Sequence, residues 1–142
     1  MTKQQIYDAI PHREPFLLVD EIVGGDESSI ECTKVFTGEE DFFKGHYPDY
    51  PLVPGVLLCE AAMQAGAILL SKHLQKVDGK VPVATRMNDV KFKRMVRPGE
   101  LVRMQVELIE KFSDAFFLMA KVTVNGKLAV RFDFACTAAN RN

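Results

Sequence analysis

The sequence predicts an α+β fold in which an antiparallel β-sheet curls around one long buried helix. Only one segment, 56–73, has the length and the nearly continuous apolar character of a long helix, about 27 Å at 1.5 Å per residue. Strand patterns follow it without an intervening helix, which favours an antiparallel sheet. Asn125-Gly126, between two of these patterns, is a strong hairpin signal.

Local patterns predict the elements on either side of the long helix. Thr2 and Gln5 have the spacing of a capping box, which begins a helix, while Pro11 and Pro15 hold the next segment extended. Apolar alternation, or β-branched runs bounded by glycine, predicts strands. The predicted elements are, in chain order, a helix at 3–9, a strand at 16–23, a turn at 24–26, a strand at 28–36, an irregular stretch at 38–54 with one helical turn near 39–43, the helix at 56–73, and strands at 81–88, 90–96, 101–109, 116–124 and 127–137.

Composition and charge are those of an ordinary globular chain. The 142 residues suit a single domain spanning 1–142, because one core typically serves about 100–200 residues. Hydrophobic residues make up 47% of the chain and charged residues 26%, which is enough apolar material for a core. The formal net charge is −1, so no global field favours nucleic acid as a partner.

Cysteine spacing and hydropathy bear on the compartment. The three cysteines are far apart and form no Cys-x-x-Cys pair, so we expect reduced thiols rather than disulfides or a zinc site. Residues 1–8 are polar, so no signal peptide is expected, and the apolar run 56–70 contains Glu60 and Gln64 and is shorter than a membrane span of about 20 residues. We therefore expect a cytoplasmic protein with no membrane insertion. No metal-ligand spacing and no phosphate-binding loop is visible, so neither a metal nor a cofactor is expected.

The candidate site lies within 15 residues, from His46 to Glu60. An imidazole exchanges protons near pH 7, and a carboxyl group in an apolar wall can act as an acid. Free N–H groups of Gly55 and Val56, at a helix start, can hold a carbonyl that gains negative charge. These groups suit proton abstraction beside a carbonyl with loss of an oxygen leaving group. Gln64, one turn after Glu60, could orient Glu60 or a water, or be a plain buried amide.

The chain resembles the FabZ-type β-hydroxyacyl-acyl carrier protein dehydratases, a family with the hotdog fold, from Ile10 to about Ala138. Four positions depart from the family pattern. Glu14 stands where the family usually has an aromatic residue, Tyr47 where it has Phe, Asp49 where it has Gly and Met95 where it has Pro. These departures bear on substrate chain length and pathway more than on reaction type. The matching segments are Ile10-Pro11-His12-Arg13, Pro15-Phe16-Leu17-Leu18-Val19-Asp20, Phe42-Phe43-Lys44-Gly45-His46-Tyr47-Pro48, Pro51, Pro54-Gly55-Val56-Leu57, Glu60-Ala61, Gln64-Ala65, Phe92-Lys93-Arg94 and Val96-Arg97-Pro98-Gly99-Glu100.

The resemblance implies dehydration of (3R)-3-hydroxyacyl-acyl carrier protein to the trans-2-enoyl product in fatty acid or specialised lipid synthesis. It makes His46 the base, Glu60 the acid that protonates the departing hydroxyl, directly or through a water, and the N–H groups of Gly55 and Val56 the oxyanion site. The pair would come from opposite subunits of a homodimer, and such dimers commonly form hexamers. Although His12 belongs to a matching segment, the sequence assigns it no chemistry.

A basic cluster is formed by Lys91, Lys93, Arg94 and Arg97 in a nearly neutral chain. Such a run is usually a solvated strand edge. Within the resemblance, the alternative is docking of the acidic acyl carrier protein, because complementary charge speeds association.

Two other functions stay open: a hotdog acyl thioesterase and a non-catalytic acyl-binding hotdog protein. Gly45-His46 ahead of Pro54-Gly55 argues against the thioesterase, and the presence of both His46 and Glu60 argues against the binding protein. Formation of a conjugated 2-enoyl thioester would distinguish the dehydratase from both.

Overall fold

The computed structural model describes residues 3–74 and 79–140, so Thr2 of the predicted capping box lies outside them. A 3-10 turn at Asp41–Lys44 lies in the predicted irregular stretch. The remaining elements are α1 (Lys3–Ala9), β1 (Glu21–Gly25), β2 (Ser29–Val35), α2 (Gly55–Leu74), β3 (Lys80–Phe92), β4 (Leu101–Phe112), β5 (Ala115–Val124) and β6 (Lys127–Asn140).

The six strands form one antiparallel sheet in the order β1-β2-β4-β5-β6-β3. The long helix α2 packs against β2, β3, β4, β5 and β6, so the sheet wraps around it. This arrangement confirms the predicted α+β hotdog fold. The β5–β6 hairpin turns at Asn125 and Gly126, whose φ angles of 53° and 74° are those of the expected primed turn.

Helix α2 begins and ends within one residue of its predicted bounds and is buried over most of its surface. By length and composition it is the one described helix that could cross a membrane, but 61% of its most apolar window is buried by the rest of the fold. Gly66 brings it close to the sheet, because a Cβ there would lie 2.7 Å from Cζ of Phe134. The core role of α2 thus accounts for its apolar composition.

The first strand was predicted too early: of the predicted range 16–23, only the part from Glu21 onward is strand. The backbone before it binds a side chain instead of a neighbouring strand. The carbonyl of Phe16 accepts a hydrogen bond from Gln64 Nε2 (2.9 Å), and the N–H of Leu18 donates to Gln64 Oε1 (2.7 Å). A segment that looks like a strand by composition is therefore fastened to α2 by one amide.

The turn predicted at 24–26 was also misplaced. A register shift in β1 keeps both glycines within the strand, so the chain reverses after them. The Asp26 carboxylate accepts a hydrogen bond from the N–H of Ser28 (2.9 Å), and the Asp26 N–H donates to the Ser29 carbonyl (3.0 Å). The turn is thus built on an aspartate side chain.

The strands predicted at 81–88 and 90–96 are one strand, β3, which ends at Phe92. Two register shifts interrupt its pairing with β6, and Asp89 has a φ of 54° at the second. Bulges of this kind hide the continuity of a strand from pattern analysis. After Phe92, the N–H groups of Lys93 and Arg94 both point to the Ala129 carbonyl (2.7 and 3.3 Å), which ends the ladder.

Candidate active site

His46 follows the 3-10 turn and is held by the backbone of its own loop. Its N–H donates to the Phe42 carbonyl (3.1 Å), and its ring makes an edge contact with Tyr47 at 4.8 Å between centroids. The ring Nδ1 lies 3.0 Å from the carbonyl oxygen of Leu52. Because a carbonyl only accepts, Nδ1 carries the hydrogen, and in the neutral ring Nε2 keeps its lone pair. This half-buried imidazole is arranged as a proton acceptor.

The start of α2 lies in the same cavity as His46. Leu57 and Leu58 both donate to the Pro54 carbonyl (2.9 and 3.3 Å). The N–H groups of Gly55 and Val56 precede these donors, and neither has a hydrogen-bond acceptor in the described part of the chain. Two free donors at the positive end of a helix can stabilise an oxygen that becomes negative.

Gly55 lies against a side chain of the protein itself. A Cβ at this position would lie 2.6 Å from Cε1 of Phe92. In the structure the ring of Phe92, at the end of β3, lies against the first turn of α2.

The cavity that holds His46 has a volume of about 840 Å³. His46, Gly55 and Val56 line it together with three members of the basic cluster, Lys93, Arg94 and Arg97. The cavity thus combines a proton acceptor and free N–H groups with a rim of positive charge.

The members of the basic cluster have different surroundings. Lys91 is still in β3, paired with Arg131, and does not line this cavity. Arg97 is engaged with Tyr50: it donates a hydrogen bond to the phenol oxygen and lies 5.2 Å from the ring centroid. Lys93 and Arg94 are exposed.

Gln64 is buried, with 1% of its surface exposed, and all of its hydrogen-bonding groups have partners. Its Nε2 donates to Oε2 of Glu60 (3.0 Å) and to the Phe16 carbonyl (2.9 Å), while its Oε1 accepts from the N–H of Leu18 (2.7 Å). These partners fix the orientation of the amide, since a carbonyl oxygen must receive a donor and an N–H an acceptor. The predicted contact with Glu60 is therefore present, and it is direct.

Glu60 lies in a second cavity of about 390 Å³ with largely apolar walls. Its side chain is 24% exposed, and that of His12, in the same cavity, is 27% exposed. The sequence analysis had missed this neighbour: Nε2 of His12 lies 3.9 Å from Oε2 of Glu60. The two residues are 48 positions apart, and no local pattern connects them.

Within one chain, His46 and Glu60 line different cavities. The two residues come from different parts of the chain. His46 belongs to the loop before α2, whereas Glu60 lies in the second turn of α2, beside Pro11, His12 and Phe16. The larger cavity thus contains a proton acceptor and free donors, and the smaller one contains the carboxyl group.

The three cysteines are buried and unpaired. Burial raises the pKa of Cys32 to about 12 and the pKa values of Cys59 and Cys136 to about 11, so the thiols stay neutral near pH 7. Among residues 3–74 and 79–140, no group of three or more His, Cys, Asp or Glu side chains could hold a metal ion.

Comparison with known proteins places this site in context. A family model described as a FabA-like domain matches residues 10–133. The chain is 45% identical over 129 residues to the 3-hydroxyacyl-[acyl-carrier-protein] dehydratase FabZ of Clostridium perfringens (strain SM101), covering 91% of this chain and 92% of that protein. It is 41% identical over 128 residues to FabZ of Lactococcus lactis subsp. cremoris (strain MG1363), covering 89% and 88%.

Two solved structures share the fold at low sequence identity. The dehydratase heterocomplex ApeI:P from Xenorhabdus doucetiae has a TM-score of 0.79 at 14% identity and covers 96% of this chain and 91% of that one. The E. coli PaaI protein from the phenylacetic acid degradation operon has a TM-score of 0.66 at 17% identity, covering 82% and 81%. These likenesses bear on the fold alone.

Proposed function

The chain belongs to the FabA-like domain family, and we propose that it removes water from (3R)-3-hydroxyacyl-acyl carrier protein to give the trans-2-enoyl thioester in fatty acid biosynthesis. It is an enzyme, a dehydratase of 3-hydroxyacyl thioesters, and we assign the reaction to a single domain spanning 1–142. The observation that carries the assignment is the Nδ1 bond from His46 to the Leu52 carbonyl, which leaves Nε2 as an acceptor next to two free N–H groups.

The first step is loss of the C2 proton. Nε2 of His46 accepts it, and the electron pair of the C–H bond moves toward the thioester carbonyl. The carbonyl oxygen gains negative charge, which the N–H groups of Gly55 and Val56 stabilise. Neither donor has an acceptor among the described residues, so little reorganisation is needed when the charge develops.

The second step is departure of the C3 hydroxyl. Glu60 gives it a proton, directly or through one water, so that water leaves as the C2–C3 double bond forms. Glu60 ends as a carboxylate and His46 as an imidazolium, and transfer of a proton between them through solvent restores both. Gln64 holds Oε2 of Glu60 and leaves Oε1 for the substrate.

Completion of the site requires a second subunit in this proposal. His46 and Glu60 line different cavities in one chain, so we assign the working pair to His46 of one subunit and Glu60 of the other. The edge strand β3 suits a dimer contact, because an unpaired edge invites pairing and Val83, Met87 and Phe92 on it are 41%, 40% and 54% exposed. We propose further association into hexamers.

The proposed partner is an acyl carrier protein, and the proposed compartment is the cytoplasm. Lys93, Arg94 and Arg97 line the His46 cavity, so an acidic carrier bound to them could deliver its acyl chain to the base. Lys91 lies farther along β3 and would extend the surface. Because the formal net charge of the whole chain is −1, attraction of an acidic carrier would come from this basic cluster and not from the overall charge.

Turnover of a 3-hydroxybutyryl thioester tests the proposal. We expect ultraviolet absorbance of the conjugated enoyl thioester to increase, with no release of thiol. Release of thiol without enoyl product would instead indicate a thioesterase, and binding without either product would indicate an acyl-binding protein.

A further inference from the structure

His12 has no part in the mechanism above, yet it lies beside the proposed acid. Its Nε2 is 3.9 Å from Oε2 of Glu60, and its Nδ1 is buried without a hydrogen-bond partner in the described part of the chain. A buried polar atom without a partner is unusual in a native protein. We infer that His12 is a positioning residue that fixes Glu60 and stabilises its carboxylate as the proton leaves, an inference that rests on the proposed role of Glu60.

The surroundings of His12 select its tautomer. A hydrogen on Nδ1 would be a buried donor without an acceptor, and the Nε2 lone pair would then face a carboxylate oxygen. A hydrogen on Nε2 instead gives a donor directed at Oε2 of Glu60. The arrangement is opposite to that of His46, where Nδ1 donates to a carbonyl and Nε2 is free to accept.

The segment around His12 is held on the same framework as Glu60. The Arg13 guanidinium donates to the carbonyl of His12 (2.7 Å), and the Phe16 ring lies nearly parallel to the imidazole, at 15° and 6.2 Å between centroids. Gln64 connects the Phe16 carbonyl to Oε2 of Glu60. Phe16 and Gln64 therefore connect the segment of His12 to Glu60 on α2.

Two donors converge on one oxygen of the proposed acid. Gln64 Nε2 is 3.0 Å from Oε2 of Glu60, and His12 Nε2 approaches the same atom. A movement of about 1 Å would bring the imidazole to hydrogen-bond distance, and such bonds commonly tighten only when substrate is bound. Both bonds strengthen as Glu60 becomes a carboxylate, so they favour the transition state over the ground state. His12 keeps its own proton throughout.

Besides His12, two other titratable groups bear on Glu60: the partner's His46 in the proposed dimer and, among the described residues that line this cavity, one thiol. The thiol of Cys136, on β6, also lines it, and burial raises its pKa to about 11, so it stays neutral in the pH range of an assay. The β3 residues along the wall, 81–84, are apolar, as are the α2 residues Met63 and Ala67. Because the base must be neutral, the partner's His46 sets the acidic limb of the pH profile, and a shift of the basic limb therefore reports on Glu60.

The test compares His12→Gln with His12→Leu. Both variants lose the ring beside Phe16, but only glutamine retains an N–H that can reach Glu60. With a 3-hydroxybutyryl thioester, we expect His12→Leu to lower kcat by about 10–100-fold with little change in KM, the range for a hydrogen bond to a charged group. We expect the kcat of His12→Gln to stay within about threefold of the wild-type value, because glutamine keeps a hydrogen-bond donor.

The pH profile provides a readout that a purely structural role would not change. Loss of a donor to the carboxylate favours the protonated form of Glu60, so the basic limb of kcat should move to higher pH in His12→Leu and stay in place in His12→Gln. Melting temperatures verify that both variants fold. Should His12→Leu fail to fold, His12→Asn, whose amide is too short to reach Oε2, should show the same loss.

A Glu60→Gln background separates this inference from the proposed function. If Glu60 is the acid and His12 acts through it, adding His12→Leu to Glu60→Gln should cost less than about twofold more, because contacting residues are not additive. An active Glu60→Gln enzyme would overturn the proposed function. An inactive Glu60→Gln enzyme together with equal rates for His12→Gln and His12→Leu would overturn the role of His12 alone.

Discussion

The two cavities on either side of α2 hold their titratable groups in different ways. In the larger cavity, the ring of His46 is oriented by a backbone carbonyl six residues away, and the donors beside it are backbone N–H groups. In the smaller cavity, Glu60 is oriented by the side chain of Gln64, which is held in turn by the backbone of 16–18. The base is positioned by main chain, and the acid by side chains.

This difference has a consequence for mutagenesis. A carbonyl or N–H group persists when its own side chain is replaced, so the environment of the base should tolerate most single substitutions around it. The environment of the acid depends on an amide with three engaged groups, and loss of that amide leaves buried partners unsatisfied. Substitutions around the two cavities should therefore have unequal effects.

The largest effect should come from the two proposed catalytic residues themselves. His46→Ala and Glu60→Gln should each lower kcat by about 10²–10⁴-fold, the range for a positioned acid or base. Rates with a 3-hydroxybutyryl thioester and circular dichroism of the folded variants measure this. A loss below tenfold in a folded variant would remove that residue from the mechanism.

The contrast between main-chain and side-chain positioning is tested most sharply at the residues that orient His46 and Glu60. Gln64→Leu leaves the buried N–H of Leu18 and the part-buried carbonyl of Phe16 without their partner, at about 1–3 kcal/mol each. We expect the free energy of unfolding to fall by about 2–6 kcal/mol, the sum for the two groups, and kcat to fall about 10–100-fold as Glu60 loses its donor. Urea denaturation measures the free energy of unfolding, and initial rates measure kcat.

Leu52→Ala is the matched control on the other side of α2. It shortens a side chain that lines the larger cavity but leaves the carbonyl that binds His46 Nδ1. We expect kcat to change by less than about threefold, because the hydrogen bond is to main chain. Equal losses in Leu52→Ala and Gln64→Leu would contradict the distinction between main-chain and side-chain positioning.

A smaller effect is expected at the helix start. Gly55→Ala would place a Cβ 2.6 Å from the ring of Phe92, which is half exposed and can move into the cavity. We expect kcat/KM to fall about tenfold, since a displacement near 1 Å at a positioning group has large kinetic effects. The double variant Gly55→Ala with Phe92→Leu should recover part of this loss. No recovery would mean that the main-chain geometry itself had changed.

The smallest effect concerns carrier docking and should depend on salt. Charge reversal at Lys93 and Arg94 should slow the reaction of acyl carrier protein substrates by several-fold at low salt. The difference should shrink as the Debye length falls from about 10 Å at 0.1 M to about 3 Å at 1 M. Small thioesters should react unchanged. Lys72→Glu, at the end of α2 opposite to Gly55, is the control. An equal loss on both substrate types would exclude docking.

The sequence predicted the fold well where the signal was periodic. Helix α2 and the β5–β6 hairpin follow directly from apolar continuity and from Asn125-Gly126. The strand expected at 16–23 failed because Gln64, more than 40 positions away, binds backbone groups that composition alone would pair in a sheet. The two strands predicted at 81–88 and 90–96 are one strand for a similar reason. The bulges in β3 shift its pairing with β6, and composition alone does not reveal such shifts.

The candidate site was predictable only in part. His46, Gly55, Val56, Glu60 and Gln64 were identified because they lie within one stretch of chain and carry recognisable chemistry. The nearness of His12 to Glu60 and the contact of Phe92 with Gly55 depend on tertiary packing, which no local pattern encodes. The division of the pair between two cavities likewise depends on tertiary packing, because the N-terminal segment and β3 enclose Glu60 while the loop of His46 lies against the start of α2.

Mixing the two inactive variants tests the central proposal, a site shared between subunits, most directly. After subunit exchange between His46→Ala and Glu60→Gln dimers, verified by mass spectrometry, half of the dimers are hybrids and each hybrid has one intact site. Activity should recover to about one quarter of wild type. If each subunit held its own complete pair, every site would carry one substitution, and activity would stay at the level of the single variants.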